Sequence, residues 1–205
     1  MEKADVLLLS GGVDSVTLLH QLAAGGEALQ ALYIDYGQRG AAHELAAAQF
    51  HCERMGVELV ALDLTRIAAV FRNVQARRSH IPLPHRHLVA LALGLSFATN
   101  LAAGRLYLAL NRDDAGLQPS SSHAFLAQFR LLAGLLGEVE LATPYLDLAA
   151  NEVAARGRTL GVDYSLTYSC IAGHPVHCGR CSRCSRRRAA LRAAGIAEPA
   201  DFYRT

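Results

Sequence analysis

The sequence predicts an α/β fold, a doubly wound and mostly parallel five-stranded sheet, with a small cysteine-rich segment at its C-terminal end. Three observations carry that reading. Short β-rich runs alternate with helix-patterned segments through residues 4 to 161. The β-rich runs are nearly continuous in apolar residues, as strands are when helices cover both faces of a parallel sheet. After residue 162 the alternation stops and four cysteines gather between positions 170 and 184. The boundary therefore falls there, giving an α/β domain over 1–162 and a C-terminal subdomain over 163–205.

The elements follow in order. ADVLLL (4–9) is the first strand, and SGGVDS (10–15) leads into a helix over 13–24. ALQALYI (28–34) is the second strand, followed by a helix over 41–55; VELVALD (57–63) is the third. A helix over 86–103 precedes the fourth strand, RLYLAL (105–110); a helix over 123–137 precedes the fifth, VELAT (139–143), and another covers 149–161. Apolar residues recur at three and four in each helix. The last helix is basic.

Composition sets limits on function. A chain of 205 residues, 52% hydrophobic, buries a substantial core. Twenty basic and eighteen acidic side chains leave a formal charge of +2, too balanced to announce nucleic acid or a membrane surface. The apolar stretch in MEKADVLLLSGG is too short for a signal peptide, and LVALALGLSFA (88–98) falls well short of the roughly 18 residues of a membrane span. The expectation is a soluble, cytoplasmic protein with neither membrane nor nucleic acid as partner. Cytosolic thiols stay reduced, so the five cysteines argue for metal or packing before disulfides.

A strand, two glycines among hydroxyls and an acid, and then a helix present backbone N–H groups and a helix N-terminus to an anion. The lysine of the GxxxxGK[ST] loop is missing, so the γ-phosphate grip of an ordinary kinase is absent. What remains suits a pyrophosphate. Ser10 and Ser15 offer hydroxyls, Gly11 and Gly12 offer amides, and Asp14 is available to Mg2+. The plainer alternative is a tight turn whose Asp or Ser caps the helix.

Cys170, Cys178, Cys181 and Cys184 have metal-ligand spacing, with glycine in the CGRC turn. Four thiolates form a closed, structural Zn2+ site with no position left for water. A redox disulfide or inert buried thiols are the alternatives. His174 and His177 read as loop histidines, and Cys52 as a packed free thiol. Arg183, Arg186, Arg187, Arg188 and Arg192 then read as a solvated helix face, with phosphate contacts to nucleic acid as the alternative.

SGGVDS resembles the signature of the PP-loop ATP pyrophosphatases, which split ATP between its α and β phosphates to adenylate a carboxylate or carbonyl oxygen. With YGQR (36–39), TP (143–144) followed by Glu152, and SCIAGHPVHCGRCSRCSRR (169–187), the chain resembles the 7-cyano-7-deazaguanine synthase (QueC) family over essentially its whole length. The resemblance implies a PP-loop/HUP-like fold with ATP held by Ser10, Gly11, Gly12, Val13, Asp14, Ser15, Gln38 and Arg39. It implies catalysis by Asp14, Arg39 and Arg86, the arginines neutralising charge as pyrophosphate leaves, and substrate contacts from Arg86, Asn111 and Asp114. Arg187 matches a family arginine three residues past the last cysteine. The implied substrate is 7-carboxy-7-deazaguanine, condensed with ammonia to an amide and then a nitrile, and the implied assembly is a homodimer. For Arg39, position alone allows a surface arginine as readily.

Four departures stand out. The histidine usual after YGQR is Gly40, PGRN has become PHRH, and the lysine expected two residues before Glu152 is Ala150. In the substrate stretch NRDDAGLQPSSSH (111–123), Asn111 and Asp114 fit the family pattern and the rest does not. Polar partners of a bound base set which substrate is accepted. The departures therefore leave open an enzyme that stops at the amide or joins the acid to another amine, including one on a partner protein. A tRNA-modifying adenylating enzyme and a non-catalytic nucleotide-binding scaffold are the further alternatives.

Overall fold

The computed structural model describes residues 4–74 and 83–204, with no account of the side chains of 72–74. Five parallel strands, β1 (Asp5–Leu8), β2 (Leu29–Asp35), β3 (Glu58–Asp63), β4 (Arg105–Leu108) and β5 (Glu140–Ala142), lie in the order β3-β2-β1-β4-β5. Each is joined to its successor through helix: α1 (Val13–Ala24), α2 (Ala41–Met55), α3 (Thr65–Val74) with α4 (Arg86–Asn100), and α5 (His123–Leu136). Two more, α6 (Ala150–Thr159) and α7 (Ser182–Ala193), follow β5.

Alternation along β1 shows how the sheet divides the core. Leu7 points to one side, with Val16, Leu18 and Leu19 of α1, Ala48 of α2, Val153 of α6 and Leu191 of α7. Val6 and Leu8 point to the other, with Leu91 and Leu95 of α4 and Leu126 and Phe129 of α5. Both faces are therefore dry, which is why the strands read as unbroken apolar runs. The segment after residue 162 adds Tyr164, Leu191 and Ala194 to the first of these layers.

The doubly wound parallel sheet agrees with the sequence reading. Several bounds differ: β4 ends at Leu108, so 109 and 110 belong to the loop beyond it, α4 ends at Asn100, β5 and α6 are shorter at both ends, and α3 was not anticipated. In α3, Ile67 is 56% and Val70 65% exposed, while Ala68 is buried. Among the described residues no helix is long and apolar enough to cross a membrane.

Candidate active site

From β1 the chain winds outward through β2 to β3, then crosses back to β4 on the other side of β1 and winds outward to β5. In a sheet of this kind a crevice opens beyond the carboxyl ends of the two central strands. A cleft of about 870 Å³ lies there, lined by the loops after β1, β2 and β4, the head of α4 and one side of α7.

The loop after β1 is fixed by backbone geometry. Gly11 has φ +70, and a Cβ there would stand 2.2 Å from the Glu44 carbonyl oxygen, so only glycine fits. Ser10 and Ser15 bond through their hydroxyls at 3.0 Å, and the Ser10 N–H donates to Ser15 Oγ at 3.2 Å. Gly12 is the N-cap of α1 and offers no side chain to its first-turn amides, which leaves that helix end open to an anion. Ser10, Gly12, Val13, Asp14 and Ser15 all line the cleft; Gly11 holds the turn behind them, its carbonyl accepting from Tyr168 N–H at 2.9 Å.

Asp14 is crowded by protein yet opens on the cleft, and its Oδ2 accepts from Asn111 Nδ2 at 3.0 Å. Burial, reinforced by the nearby Asp114 carboxylate, pushes its pKa up to about 6, against the pull of the Asn111 hydrogen bond. A carboxylate so destabilised is well disposed toward a divalent cation. Asn111 also accepts from the Asp114 N–H through Oδ1 at 2.9 Å, so one amide sets both acids.

Of the YGQR residues, Gln38 is buried, and its bonds go to protein. Its Nε2 donates to Glu44 Oε2 at 2.7 Å and Tyr33 Oη at 2.9 Å, and its Oε1 accepts from the Tyr36 N–H at 3.0 Å. It thereby aims Glu44, whose pKa burial raises, into the cleft. Arg39 is exposed at the rim of the same cleft. Gly173 of the cysteine-bearing segment lies so close to the Arg39 backbone that a Cβ would meet its carbonyl oxygen at 2.3 Å.

Arg86 opens α4 and lines the cleft, with its Nη1 buried and without a partner; His87 Nδ1 is in the same state. Burial, then the charges of Arg86 and Arg183, push His87 down to about 3, so its ring is neutral. His85, where the PGRN pattern has glycine, keeps a left-handed backbone with φ 50 and ψ 40. At Gly40 a Cβ would come within 2.8 Å of the Tyr168 ring, so the family's histidine has no room beside that tyrosine. Ala150 begins α6 on the cleft wall and donates its N–H to Asp113 Oδ2 at 2.8 Å. Glu152 accepts from Ala149 N–H at 2.6 Å and so caps the helix.

Cys170, Cys178, Cys181 and Cys184 bring four sulfurs within 4.8 Å of one another. A tetrahedral ion with legs of about 2.3 Å needs sulfur separations near 3.8 Å, which this arrangement approaches; Cys178 and Cys184 Sγ are 4.0 Å apart. Backbone N–H groups of Cys178, Cys181 and Cys184 each point at a cysteine sulfur at 3.4 Å, the polarity that thiolates require. Hydrogen bonding, chiefly from the Arg180 backbone, holds Cys178 down at about 6. The cluster can hold one metal ion, and zinc suits it. His177 stays outside, accepting from Ser169 N–H through Nε2 at 3.0 Å, and Cys52 is a buried free thiol.

The arginines of α7 divide: Arg188 and Arg192 are exposed, as their spacing implied, whereas Arg183, Arg186 and Arg187 are engaged by protein. Arg187 is buried; it bonds Glu198 Oε1 at 2.7 Å and Thr167 Oγ1 at 2.7 Å, and its guanidinium lies over the Phe202 ring at 4.5 Å. Arg188 stacks on Tyr203. Arg183 and Arg186 turn to the cleft, where both meet Asp114. Helical charge runs usually face water, but here a tail over 195–204 covers one side and the cleft takes another. Besides these two, reading the sequence missed Glu44. The i, i+3 spacing of 183 and 186 beside the cysteines was the available signal.

Comparison with known proteins gives consistent findings. A family model described as Queuosine biosynthesis protein QueC matches residues 4–195. The chain is 34% identical over 218 residues to the 7-cyano-7-deazaguanine synthase of Methanothermobacter thermautotrophicus, covering 96% of this chain and 98% of that one. It is 30% identical over 197 residues to 7-cyano-7-deazaguanine synthase 1 of Sulfurisphaera tokodaii, covering 96% of each. Among solved structures, the NH3-dependent NAD synthetase of Campylobacter jejuni superposes with a TM-score of 0.56 at 18% identity, over 81% of this chain and 67% of that one, a likeness of fold.

Proposed function

From the premise that this chain belongs to the QueC family of PP-loop enzymes, we propose that it uses ATP to adenylate 7-carboxy-7-deazaguanine and condenses the product with ammonia. The relatives' name, 7-cyano-7-deazaguanine synthase, gives the product, and the acid is the substrate that the sequence resemblance implies. The observation that carries the chemistry is the open N-terminus of α1, with Ser10, Gly12 and Ser15 around it and Asp14 at its edge, facing one cleft with Arg39 and Arg86.

A carboxylate is a poor electrophile, and adenylation gives it a leaving group. The substrate oxygen attacks the α-phosphorus, the bond to the bridging oxygen breaks, and pyrophosphate leaves. Ammonia then adds at the carbonyl carbon, and AMP departs to give the amide. The amide oxygen then attacks the α-phosphorus of a second ATP, releasing a second pyrophosphate, and loss of AMP and protons yields the nitrile. Such steps need position and charge more than covalent help from the protein. The loop after β1 holds the departing pyrophosphate, Arg39 and Arg86 offset its charge, and Arg86, Asn111 and Asp114 also contact the acid. Asp14 would hold Mg2+, which neutralises the phosphates when bound. Zn2+ on the four cysteines is structural and fixes the start of α7. The protein acts as a homodimer, with ATP, the acid and ammonia as its small-molecule partners.

Incubation with the acid, ATP, Mg2+ and ammonia, read by mass spectrometry, tests this. Nitrile with two AMP per molecule is the expected result. Amide alone limits the enzyme to one condensation, and unchanged acid without AMP overturns the proposal.

A further inference from the structure

The charged residues lining the cleft do not balance for its proposed ligands unless α7 takes part. Four are acidic: Asp14, Glu44, Asp113 and Asp114. Of the basic ones, Arg187 is committed to Glu198 and the backbone beneath it. Arg39 and Arg86 alone would leave the cleft negative, a poor host for a triphosphate and a carboxylate. Arg183 and Arg186 supply the difference.

These two arginines lie three residues apart on one face of α7, directly after Cys181, the N-cap of that helix. Both guanidinium groups converge on Asp114: Arg183 Nη1 reaches Oδ2 at 3.4 Å, and Arg186 Nη1 bonds Oδ1. One carboxylate thus receives two cations. The acid is 18% exposed, while the arginines are 39% and 41% exposed and stand in the open cleft. Pairs so exposed add little to stability, in contrast to the saturated, buried Arg187. Burial raises the pKa of Asp14, Tyr36 and Glu44 alike, and the charge of Arg183 pulls all three back, which places it among them. Across the same cleft, Ala150 stands where the family pattern has a lysine.

We infer that Arg183 and Arg186 are positioning residues for the anionic ligands, kept in the cleft by Asp114 until those ligands arrive. The inference rests on the ATP-dependent reading above. It gives the metal-binding cysteines a part in the chemistry, because they set where α7 begins and hence where both guanidinium groups stand. It also supplies from α7 a cation that α6 lacks.

The test is calorimetric titration of the full-length, metal-loaded protein with pyrophosphate and with ATP. Arg183→Ala and Arg186→Ala each weaken pyrophosphate binding by about tenfold or more, the loss expected of one charge-assisted contact, and the double variant weakens it further. Bound metal and melting temperature stay as in the unmodified protein. Should the alanine variants lose metal, Arg183→Gln and Arg186→Gln keep length and hydrogen bonding without charge, and the same weakening supports the inference. Unchanged affinity in the doubly substituted protein, with Ser15→Ala still impaired, overturns it and leaves the ATP reading standing. Failure of the unmodified protein to bind either probe overturns both.

Discussion

On the side of the cleft formed by the loop after β1, Ser10, Ser15, Asp14 and Asn111 are already bonded to one another or to backbone, whereas at the head of α4 Arg86 Nη1 and His87 Nδ1 are buried without partners. The first region is assembled before any ligand binds. The second carries polar groups that no described protein atom partners, and a bound ligand would offset the cost of their desolvation. The difference matches the division of labour proposed here: phosphate handling is preset, and substrate reading is completed by the substrate.

That contrast can be broken most severely at Gly11. Gly11→Ala forces a Cβ against the Glu44 carbonyl in a left-handed backbone. Turnover should fall by at least about a hundredfold, with stability lowered by about 1–3 kcal/mol, as strained positions cost; activity assays and thermal melting check both. Arg86→Met is the converse. It keeps the apolar stem and removes an unpartnered buried group, so stability should hold within about 1 kcal/mol. The KM for the acid should nonetheless rise about tenfold or more, as for a lost charge-assisted contact.

A smaller effect concerns pH. Asp14 has a pKa raised to about 6, so it is protonated below that value and a carboxylate above it. Catalytic efficiency at limiting Mg2+ should therefore climb as pH rises through about 6, and a flat profile from 5 to 7 would contradict the assigned role. The smallest effect belongs to His85, left-handed at φ 50. His85→Gly should stabilise the fold by about 1 kcal/mol, the approximate penalty of that conformation for an L-residue, with turnover unchanged.

Much of the architecture was legible because the strands are buried on both faces, which writes itself into continuous apolar runs such as residues 5–8. The loop after β1 and the cysteine cluster were legible for a related reason: close backbone approach needs glycine, and metal binding needs thiolates at short spacing. α3 was legible as well, its Ile67, Val70, Phe71 and Val74 recurring at helical spacing, and was overlooked. Glu44 escaped because its function depends on Gln38 and Tyr33 meeting it across a helix–strand contact, and no local pattern encodes that. Arg183, Arg186 and Arg187 of α7 were misjudged because charge spacing along a helix does not reveal what lies opposite. The same sequence step, 186 to 187, separates a cleft cation from one sealed under Phe202.

The most direct measurement is a crystal structure with ATP and Mg2+ bound. The account predicts the β and γ phosphates against the amides at the start of α1 and between the Ser10 and Ser15 hydroxyls, with the α-phosphorus turned toward Arg86 and Asp114. A nucleotide whose phosphates lie elsewhere in the cleft, with that helix end left empty, would contradict it.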